Sequence, residues 1–490
     1  MQDDPTQLFQ TTLDADGVLV ATLDMPGRTM NVFSAGLMDA LDTLMGRVEQ
    51  DPAVRSVVIT SGKPSFLAGA DLSMVRSYTE QARSATPAQM FETCGRLGRQ
   101  FVRLEACAKP WVAAVNGIAL GGGLELALAC RQRLVADDPK LQLGVPEVRW
   151  GLLPGAGGTQ RLPRMAPFDA AMRCLLTGGS MTPAEALEWG VVDAVVPAAD
   201  LLAAAKAAAR ALQGQPYDAA RKFKRLEQAE LPPYSAATAR ALAASHGVDS
   251  ERFDHCPAYS AICDSVLLGA HRPLAEATVV EMDQFLRLMF NPVAGRMIQT
   301  LFLERLRAER ELAAPAGLQI ERLAFGAISE ARSAWRAALA RLKLPQAEDS
   351  RLGIDVLELH DSQGHRHRLA LRVLGEDAAP ATLATAVLAP AGPYGRVLEL
   401  VGTGPAATQA AAAWAARLRC LPWPTPGPLS VLQSLRGLPL AQQAPLALAL
   451  SVRPGAGDPV FLDVAACLAG IAPAWSGGPL SWAASLTGPA

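Results

Sequence analysis

The hydrophobic positions of the first two hundred residues follow both strand-like and helix-like periods. The segments concerned are 7–25, which predicts two short strands around a turn at 14–17, the helical 34–49, and the buried strands 55–60 and 111–117. Two further helices have clear start signals, because Thr86 and Thr182 each precede a proline and are followed three residues on by Gln89 or Glu185. The repeated strand–helix–strand order predicts an α/β layered domain over residues 1–200.

After about residue 200 the pattern becomes mainly helical. Segments 274–290 and 292–312 have the spacing of long amphipathic helices, and Asn291 between them is a good N-cap. Beyond 313 the composition shifts towards Ala, Pro, Gly and Leu, although strand-like and helix-like segments continue. We therefore predict a helical linker over 201–312 and a smaller, folded, mostly helical region over 313–490.

Composition narrows the possible classes of protein. The chain has 490 residues, half of them hydrophobic, and a formal charge of -2, so its charge does not favour nucleic-acid binding. Its 8 cysteines form no CxxC pair, which favours reduced, buried thiols over a zinc site or a disulfide framework. The acidic start has no apolar signal-peptide core, and the apolar run 438–452 is too interrupted to span a bilayer. We expect a cytoplasmic protein with no transmembrane segment.

The distribution of histidine restricts the chemistry of the predicted α/β domain. The chain has 6 histidines, and the first of them is His246. A serine or cysteine nucleophile paired with histidine is therefore excluded from the whole region before that residue. Carboxylates, lysines or backbone amides must carry any catalysis there.

Two glycine-rich segments are the first candidates for a functional site. Residues 61–72 follow a predicted strand, and residues 116–126, with three successive glycines, run from a strand into a helix. Backbone N–H groups stay uncovered in such turns, and one from each segment would form an oxyanion hole. Taken alone, each segment is explained more simply by tight packing of a strand against a helix.

Two glutamates stand beside these glycines. Glu125 lies in the first turn of the helix after the glycine run, where an acidic residue also offsets the helix dipole. Glu147 follows an apolar strand and precedes the glycine-rich segment 151–161, where a solvated turn carboxylate is the simpler interpretation. If the two side chains meet, they can bracket one water, one taking a proton and the other giving one. Their spacing alone does not establish that they meet.

Three ordered motifs resemble those of the crotonase (enoyl-CoA hydratase/isomerase) family: GGGLELALAC, LGVPEV and GLLPGAGGTQRLPRM. The resemblance covers about residues 15–200. Within the family, these motifs look like those of the longer variety, which is the amino-terminal half of the multifunctional fatty-acid oxidation α subunit. It implies a crotonase-type spiral of ββα units, with Glu125 and Glu147 as catalytic glutamates and the backbone N–H groups of Ala70 and Gly122 as the oxyanion hole. The substrate- and coenzyme A-binding residues that it implies are Arg28, Met30, Ala68, Asp71, Leu72, Gly121 and Pro146.

The activity implied by this resemblance is hydration of trans-2-enoyl-CoA thioesters in a β-oxidation-type pathway. We assign Glu125 mainly to the water and Glu147 mainly to the proton delivered at C2. A shift of a 3-enoyl to a 2-enoyl double bond needs only the oxyanion hole and one carboxylate, so isomerase activity is a further expectation. We expect no metal and no redox cofactor, because coenzyme A enters as part of the acyl-CoA substrate.

The rest of the chain resembles the same α subunit more thinly. Residues 254–311 look like its linker, whose helices pack back on the hydratase domain and close the acyl pocket. The family continues with a 3-hydroxyacyl-CoA dehydrogenase, but here its dinucleotide fingerprint is reduced to one glycine within 323–328, and the stretch holding its catalytic histidine to 391–395. We interpret 313–490 as a degenerate dehydrogenase-like region. Two alternatives stay open: a surviving dehydrogenase, and a docking scaffold for a thiolase subunit or a second copy of this chain.

A GxGxxA match at 402–407 follows a predicted strand and opens an alanine-rich helix, as a dinucleotide-binding turn would. Pro405 removes an amide from that turn, and no acidic residue able to hold a ribose follows before Asp458. We therefore do not expect NAD to bind there.

A group of histidines in the same region is the one candidate for a metal site. Its members are His360, His365 and His367, which surround Gly364. An exposed hairpin with glycine at its turn is the favoured interpretation.

Overall fold

The computed structural model describes residues 8–217, 223, 231, 233–375, 384–391, 394–425, 429–452 and 457–487. By compactness the chain forms two units, an N-terminal unit of Met1–Gly295 and a C-terminal unit of Arg296–Ala490. The domain limits predicted at residues 200 and 312 stay a prediction. Among the helices of the described ranges, none is both long enough and apolar enough to cross a membrane.

A six-stranded sheet forms the centre of the N-terminal unit. In spatial order its strands are β1 (Phe9–Leu13), β2 (Val18–Leu23), β3 (Ser56–Ser61), β4 (Trp111–Val115), β6 (Gln132–Ala136) and β9 (Ala194–Val196). The first two strands pair antiparallel, which confirms the predicted hairpin, and the other neighbours are parallel. Every residue of β3 and β4 is buried, as expected of parallel strands covered on both faces.

A second, smaller sheet joins the glycine-rich segments. Its strands are β5 (Ala119–Leu120), β7 (Leu143–Gly144) and β8 (Ser180–Met181). β5 pairs in parallel with β7, and β7 pairs antiparallel with β8. Two isolated parallel bridges, Phe33 to Ala70 and Leu67 to Ala119, extend this contact to the loop after β3.

Helices surround these sheets. They are α1 (Ala35–Gln50), α2 (Leu72–Gln81), α3 (Pro87–Cys94), α4 (Arg96–Ala106), α5 (Gly122–Ala129), α6 (Gly158–Met165), α7 (Phe168–Thr177), α8 (Pro183–Glu188), α9 (Leu201–Ala211), α10 (Ala236–Ser245), α11 (Ser250–His255), α12 (Pro257–Gly269) and α13 (Leu274–Met289). Thr86 and Thr182 each form the predicted capping box with Gln89 and Glu185. The prediction of a single helix that begins near residue 86 is wrong in one respect, because the segment is divided at Gly95 into α3 and α4.

One buried asparagine ties together the loops that flank the second sheet. Asn31 is 0 % exposed, and its side-chain oxygen accepts a hydrogen bond from the Met25 N–H at 3.0 Å. Its amide nitrogen donates to Ser61 Oγ at 2.9 Å and to the Phe66 carbonyl at 3.2 Å. Every one of these bonds is shielded from water, so the loops before α1 and after β3 are held in fixed register.

The C-terminal unit is built on a seven-stranded mixed sheet. Its strands, in spatial order, are β11 (Gln346–Glu348), β10 (Ile320–Phe325), β12 (Val356–Asp361), β13 (Arg366–Val373), β14 (Thr385–Leu388), β15 (Val397–Val401) and β16 (Leu421–Thr425). Its helices are α15 (Arg305–Glu311), α16 (Ser333–Ala340), α17 (Pro405–Leu418), α18 (Val431–Leu435), α19 (Leu440–Ser451), α20 (Pro459–Leu468) and α21 (Pro479–Thr487), and α14 (Pro292–Ile298) contains the division between the units. More of its described residues lie in helices than in strands, as predicted, and the α/β class of the chain is confirmed.

Both faces of that sheet are covered. Along β15, Leu398 and Leu400 pack with Trp414 of α17, whereas Val397 and Val401 face the core formed with α18 and α20. The described cysteines of the chain are free thiols, all buried except the half-buried Cys107, in agreement with the predicted reduced state.

A buried ion pair connects α4 to α6 in the N-terminal unit. The Arg161 side chain is 0 % exposed, and its Nε and Nη2 lie 3.1 and 3.0 Å from Glu105 Oε2. The other oxygen of Glu105 accepts a hydrogen bond from the Tyr217 hydroxyl at 2.9 Å. Removing one partner of such a pair leaves an uncompensated charge away from water.

We predict that Glu105→Ala lowers the free energy of unfolding by ~3–5 kcal/mol, because Arg161 loses its counter-charge in the core. Urea denaturation followed by circular dichroism measures the change. The matched control is Glu92→Ala, which removes the partner of Arg99 in a solvent-exposed pair, and it should cost less than ~1 kcal/mol. Equal effects of the two substitutions would contradict the prediction.

Candidate active site

The pairing of β5 with β7 brings the two predicted glutamates into one site. The Gly121 N–H donates to the Gly144 carbonyl at 2.8 Å, where the two strands end. Gly121 caps α5, whose first turn contains Glu125, and Gly144 leads into the short 3-10 helix Pro146–Trp150, which contains Glu147. Both carboxylates therefore lie only a few residues beyond the same backbone contact.

Gly121 permits the close approach of Glu147. Its φ of +53° is unfavourable for any residue with a Cβ, and a Cβ placed there would lie 2.3 Å from Glu147 Oε1. Glycine at position 121 is thus required by the neighbouring Glu147 carboxylate, and not only by the packing of a strand against a helix.

Glu125 is a buried carboxylate held by backbone amides. It is 2 % exposed, and its Oε1 accepts hydrogen bonds from the N–H groups of Ala156 at 2.8 Å and Gly158 at 2.7 Å. Burial raises the pKa of Glu125 to about 6, although those two amides and the positive charge of Arg161 act in the opposite direction. Near neutral pH, Glu125 is the member of the pair that ionises and can take a proton from water.

Glu147 differs from Glu125 in its hydrogen-bond partners. The residue as a whole is half-buried, but its Oε2 is shielded from solvent and has no hydrogen-bond partner among the described residues. Burial, and then the negative charge of Glu125 with a smaller effect of Glu281, raises the pKa of Glu147 well above its ordinary value. Glu147 therefore holds its proton more strongly than an ordinary glutamate does and is the candidate proton donor of the pair.

The predicted oxyanion residues lie in loops that touch each other. The bridge between Phe33 and Ala70 uses the carbonyl of Gly69 and the N–H of Asp71, which leaves the Ala70 N–H outside the pairing. Gly122 is the first residue of α5, so its N–H has no acceptor within the helix. A Cβ on Gly69 would lie 3.3 Å from the Leu120 carbonyl oxygen, which places the two loops in direct contact. Their role as an oxyanion hole stays a prediction.

The predicted coenzyme A residues are dispersed around these loops. Arg28 Nη1 lies 3.1 Å from Asp71 Oδ2, and Asp71 also caps α2 through the Ser73 N–H. Met30 is 45 % exposed, and the Ala68 N–H donates to the Asn31 carbonyl at 2.9 Å. Of the three remaining residues of this set, Gly121 is buried beside Glu147, and Leu72 and Pro146 are half-buried. The contacts of Asp71 already give it a structural role, whereas Met30 is free to meet a ligand.

A third glutamate, which the sequence reasoning missed, completes the site. Glu281 of α13 is 1 % exposed, and it accepts hydrogen bonds from the Gly157 N–H at 2.5 Å and the Thr159 N–H at 2.9 Å. Four successive amides, those of residues 156–159, thus donate alternately to Glu125 and Glu281. The available signal was a charged residue on the buried face of an amphipathic helix, four residues after the buried Ala277.

Glu281 belongs to a buried polar network. Thr159 Oγ1 donates to Glu281 Oε2 at 2.5 Å and lies 2.7 Å from Ser265 Oγ, and Gln160 Nε2 donates to the Ser265 hydroxyl at 3.0 Å. Burial and the negative charge of Glu125 raise the pKa of Glu281 to about 8, although Thr159, the Gly157 amide and Arg161 lower it. The hydroxyls can turn to accept or donate, so the network accommodates either protonation state of Glu281.

Helix α13 also lines a cavity, and its closing of the acyl pocket stays a prediction. α13 packs on α3 and α6, and a space of about 170 Å³ lies between α3, α4, Gly155 and α13. Its walls are mainly apolar and include Phe91, Val102 and Met282, with Glu281 among the lining residues.

The histidines of the C-terminal unit lie on the predicted hairpin. Gly364, with φ of +85°, forms the turn between β12 and β13. His367 Nε2 lies 2.9 Å from Asp361 Oδ2, and donor atoms of Asp361, His365 and His367 lie within 4.8 Å of one another. His360 contacts Glu358 instead, at 3.0 Å. The hairpin is confirmed, and its own hydrogen bonds account for the convergence of these side chains.

Comparison with known proteins places this site in a family. The family model for enoyl-CoA hydratase/isomerase matches residues 14–255. This part of the chain therefore belongs to the enoyl-CoA hydratase/isomerase family, within the crotonase superfamily, and the predicted family and crotonase-type fold are confirmed.

The curated relatives that match this chain share one name. The chain is 45 % identical over 195 residues to the fatty acid oxidation complex subunit alpha of Shewanella putrefaciens, and 36 % identical over 301 residues to that of Shewanella halifaxensis. These matches cover 40 % and 61 % of this chain but only 27 % and 41 % of the relatives' own lengths. The chain thus spans less than half the length of the curated relatives that it matches.

Solved structures give a similar range of names. The human mitochondrial delta3-delta2-enoyl-CoA isomerase is 25 % identical, with a TM-score of 0.43, over 62 % of this chain and 100 % of that one. An enoyl-CoA hydratase from Geobacillus kaustophilus is 26 % identical, with a TM-score of 0.39, over 61 % of this chain and 94 % of that one. The roles of individual residues rest on this chain's own contacts.

The raised pKa of Glu147 predicts a pH-dependent effect on stability. Ionisation of Glu147 costs more free energy in the folded chain than in the unfolded one. The stability that is present at a pH below the unfolded-state pKa is therefore lost as the pH rises towards the folded-state pKa. Glu147→Gln should therefore raise the melting temperature at pH 9 but not at pH 4, by about 2–4 °C for each kcal/mol of stability regained. Calorimetry at the two pH values tests this.

The control for that experiment is Glu276→Gln, the same chemical change at an exposed position of α13. It should leave the melting temperature unchanged at both pH values. A destabilising effect of Glu147→Gln at pH 9 would show that the carboxylate is ionised and stabilising, contrary to the prediction.

Proposed function

We propose that this protein is an enoyl-CoA hydratase, which adds water across the 2,3-double bond of trans-2-enoyl-CoA thioesters in a β-oxidation-type pathway. The observation that carries the proposal is a pair of neighbouring glutamates beside two glycine turns, one held by two backbone amides and the other with a shielded Oε2 that has no partner among the described residues. Membership of the enoyl-CoA hydratase/isomerase family supports the reaction class. The names of the curated relatives support the pathway.

In the proposed mechanism, Glu125 acts as the general base. Its ionised carboxylate takes a proton from water, and the oxygen of that water forms a bond to C3 of the enoyl group. Electrons of the double bond move to the thioester oxygen, where the N–H groups of Ala70 and Gly122 stabilise the enolate. One such donor contributes about 3 kcal/mol to transition-state binding.

Glu147 completes the reaction as the general acid. Its proton passes to C2, where the enolate electrons form the new C–H bond, while the hydroxyl group at C3 keeps the second hydrogen of the water. Glu125 then holds a proton and Glu147 is ionised, and a proton transfer through solvent restores the starting state. Because the two groups repel each other's charge, they titrate as a pair rather than independently. No electrons leave the substrate, so the proposed reaction needs no redox cofactor.

The substrate would occupy the surfaces described above. Arg28, Met30 and the segment Ala68–Leu72 would face coenzyme A, and the cavity beside α13 would accept the acyl chain. The further expectations of isomerase activity, of a degenerate dehydrogenase-like region and of a thiolase partner stay predictions.

The direct test is to mix the protein with a short trans-2-enoyl-CoA and follow loss of the conjugated thioester absorbance. We predict that Glu125→Gln and Glu147→Gln each lower kcat by roughly 10²–10⁴-fold, because each removes one proton-transfer group. Glu276→Gln is the control and should keep the full rate. An inactive wild-type protein, or full activity in both site variants, would refute the proposed function.

The pH dependence provides an independent check on the assigned roles. We predict that kcat/KM falls below about pH 6, as Glu125 takes a proton, and falls again at alkaline pH, as Glu147 loses its proton. Initial rates measured across this range define both limbs. A rate that keeps rising as the pH falls below 6 would mean that Glu125 is not the base.

A further inference from the structure

We propose that Glu281 is a positioning residue of the hydratase site, which fixes the turn at 156–159 in the geometry that holds the Glu125 carboxylate. This inference rests on the proposed function and extends it to a residue outside the family's glycine motifs. Glu281 lies on α13, more than a hundred residues after the turn that it contacts. Its contacts are therefore long-range and depend on how α13 packs on α6.

The first step is the alternation of hydrogen bonds along the turn. The N–H groups of Ala156 and Gly158 donate to Glu125, and those of the residue after each, Gly157 and Thr159, donate to Glu281. Successive peptide planes in a turn are linked through shared Cα atoms, so a shift of one amide moves its neighbours. Through these linked peptide planes, Glu281 therefore restrains the two amides that orient Glu125. It does so indirectly, by binding the neighbouring amides and not Glu125 itself.

The second step is the cost of placing Glu281 there. Burying a carboxylate is expensive, and stability alone would favour an apolar residue on this face of α13. Glu281 is 1 % exposed, and the three donors of Gly157 and Thr159 offset part of that cost. A residue kept at such a cost, and placed next to the proposed base, is better explained by precise placement of the turn than by packing.

The third step is the electrostatic environment that Glu281 shares with the pair. The charged and titratable groups that face it are Glu125 of α5, Glu147 of the 3-10 helix, Arg161 and Arg164 of α6, and Arg99 of α4. When Glu281 ionises at alkaline pH, its charge opposes the ionisation of Glu147. Glu147 thus keeps its proton to a higher pH than it would without Glu281.

The test compares wild type, Glu281→Gln and the control Glu276→Gln in the hydration assay. Glutamine can accept from one of the two amides, but its NH₂ group opposes the other, so the turn loses half of its restraint. We expect kcat to fall roughly 10- to 100-fold with little change in KM, since the substrate contacts remain and only the base is misplaced. We also expect the alkaline limb of the pH profile to move to lower pH.

Thr159→Val serves as a second variant in case Glu281→Gln does not fold. It removes the hydroxyl that binds Glu281 but keeps the backbone amide and the shape of the side chain. It should lower kcat in the same direction by a smaller factor. A purely structural role would reduce the amount of active enzyme at every pH and would not move the alkaline limb.

Amide hydrogen exchange separates the two proposals from each other. In Glu281→Gln, exchange of the peptide covering 153–162 should become faster than in wild type, whatever the activity. If exchange is faster in Glu281→Gln but the wild-type protein does not hydrate enoyl thioesters, the proposed function is refuted and the role of Glu281 in holding the turn is kept. An active wild type, with unchanged kcat, pH profile and exchange in Glu281→Gln, would overturn the inference.

Discussion

Three carboxylates share a space from which water is largely excluded, and three negative charges cannot be placed there at once. Burial penalises each charge, and each charge penalises the others, so the chain must offset some of them with donors. The N-terminal turn of α6 supplies these donors, because its glycines leave four successive amides uncovered. Two of those amides bind Glu125, two bind Glu281 and none binds Glu147. This unequal distribution contributes to the difference in pKa between Glu125 and Glu147, on which the proposed chemistry depends.

Much of this arrangement was predictable because it follows local rules. The hairpin of β1 and β2, the buried strands β3 and β4 and both capping boxes are determined by residues close together in the chain. Residue type and the absence of histidine before His246 made the two glutamates candidates, and the resemblance to the crotonase family implied their catalytic role. That they meet could not be predicted from spacing, since it depends on the pairing of β5 with β7, strands of two residues each.

Other features depend on contacts that no local pattern reveals. Glu281 resembles an ordinary charged residue until α13 is placed against α6, and its partners Gly157 and Thr159 are far away in the sequence. The interruption at Gly95 was missed because the apolar stripe continues across it from α3 into α4. The seven-stranded sheet of the C-terminal unit was also hard to predict, because its order mixes parallel and antiparallel neighbours that the hydrophobic pattern does not specify.

The contact between α13 and the turn at 156–159 bears on how this enzyme could be divided or recombined. The motifs of the family suggest a module that ends near residue 200, and a chain cut there would retain both proposed catalytic glutamates. It would nevertheless lose the acceptors of the Gly157 and Thr159 amides and open the cavity beside them to water. A form of the site that keeps these contacts must therefore extend through α13 to Met289, and what looks like a linker is structurally part of the site.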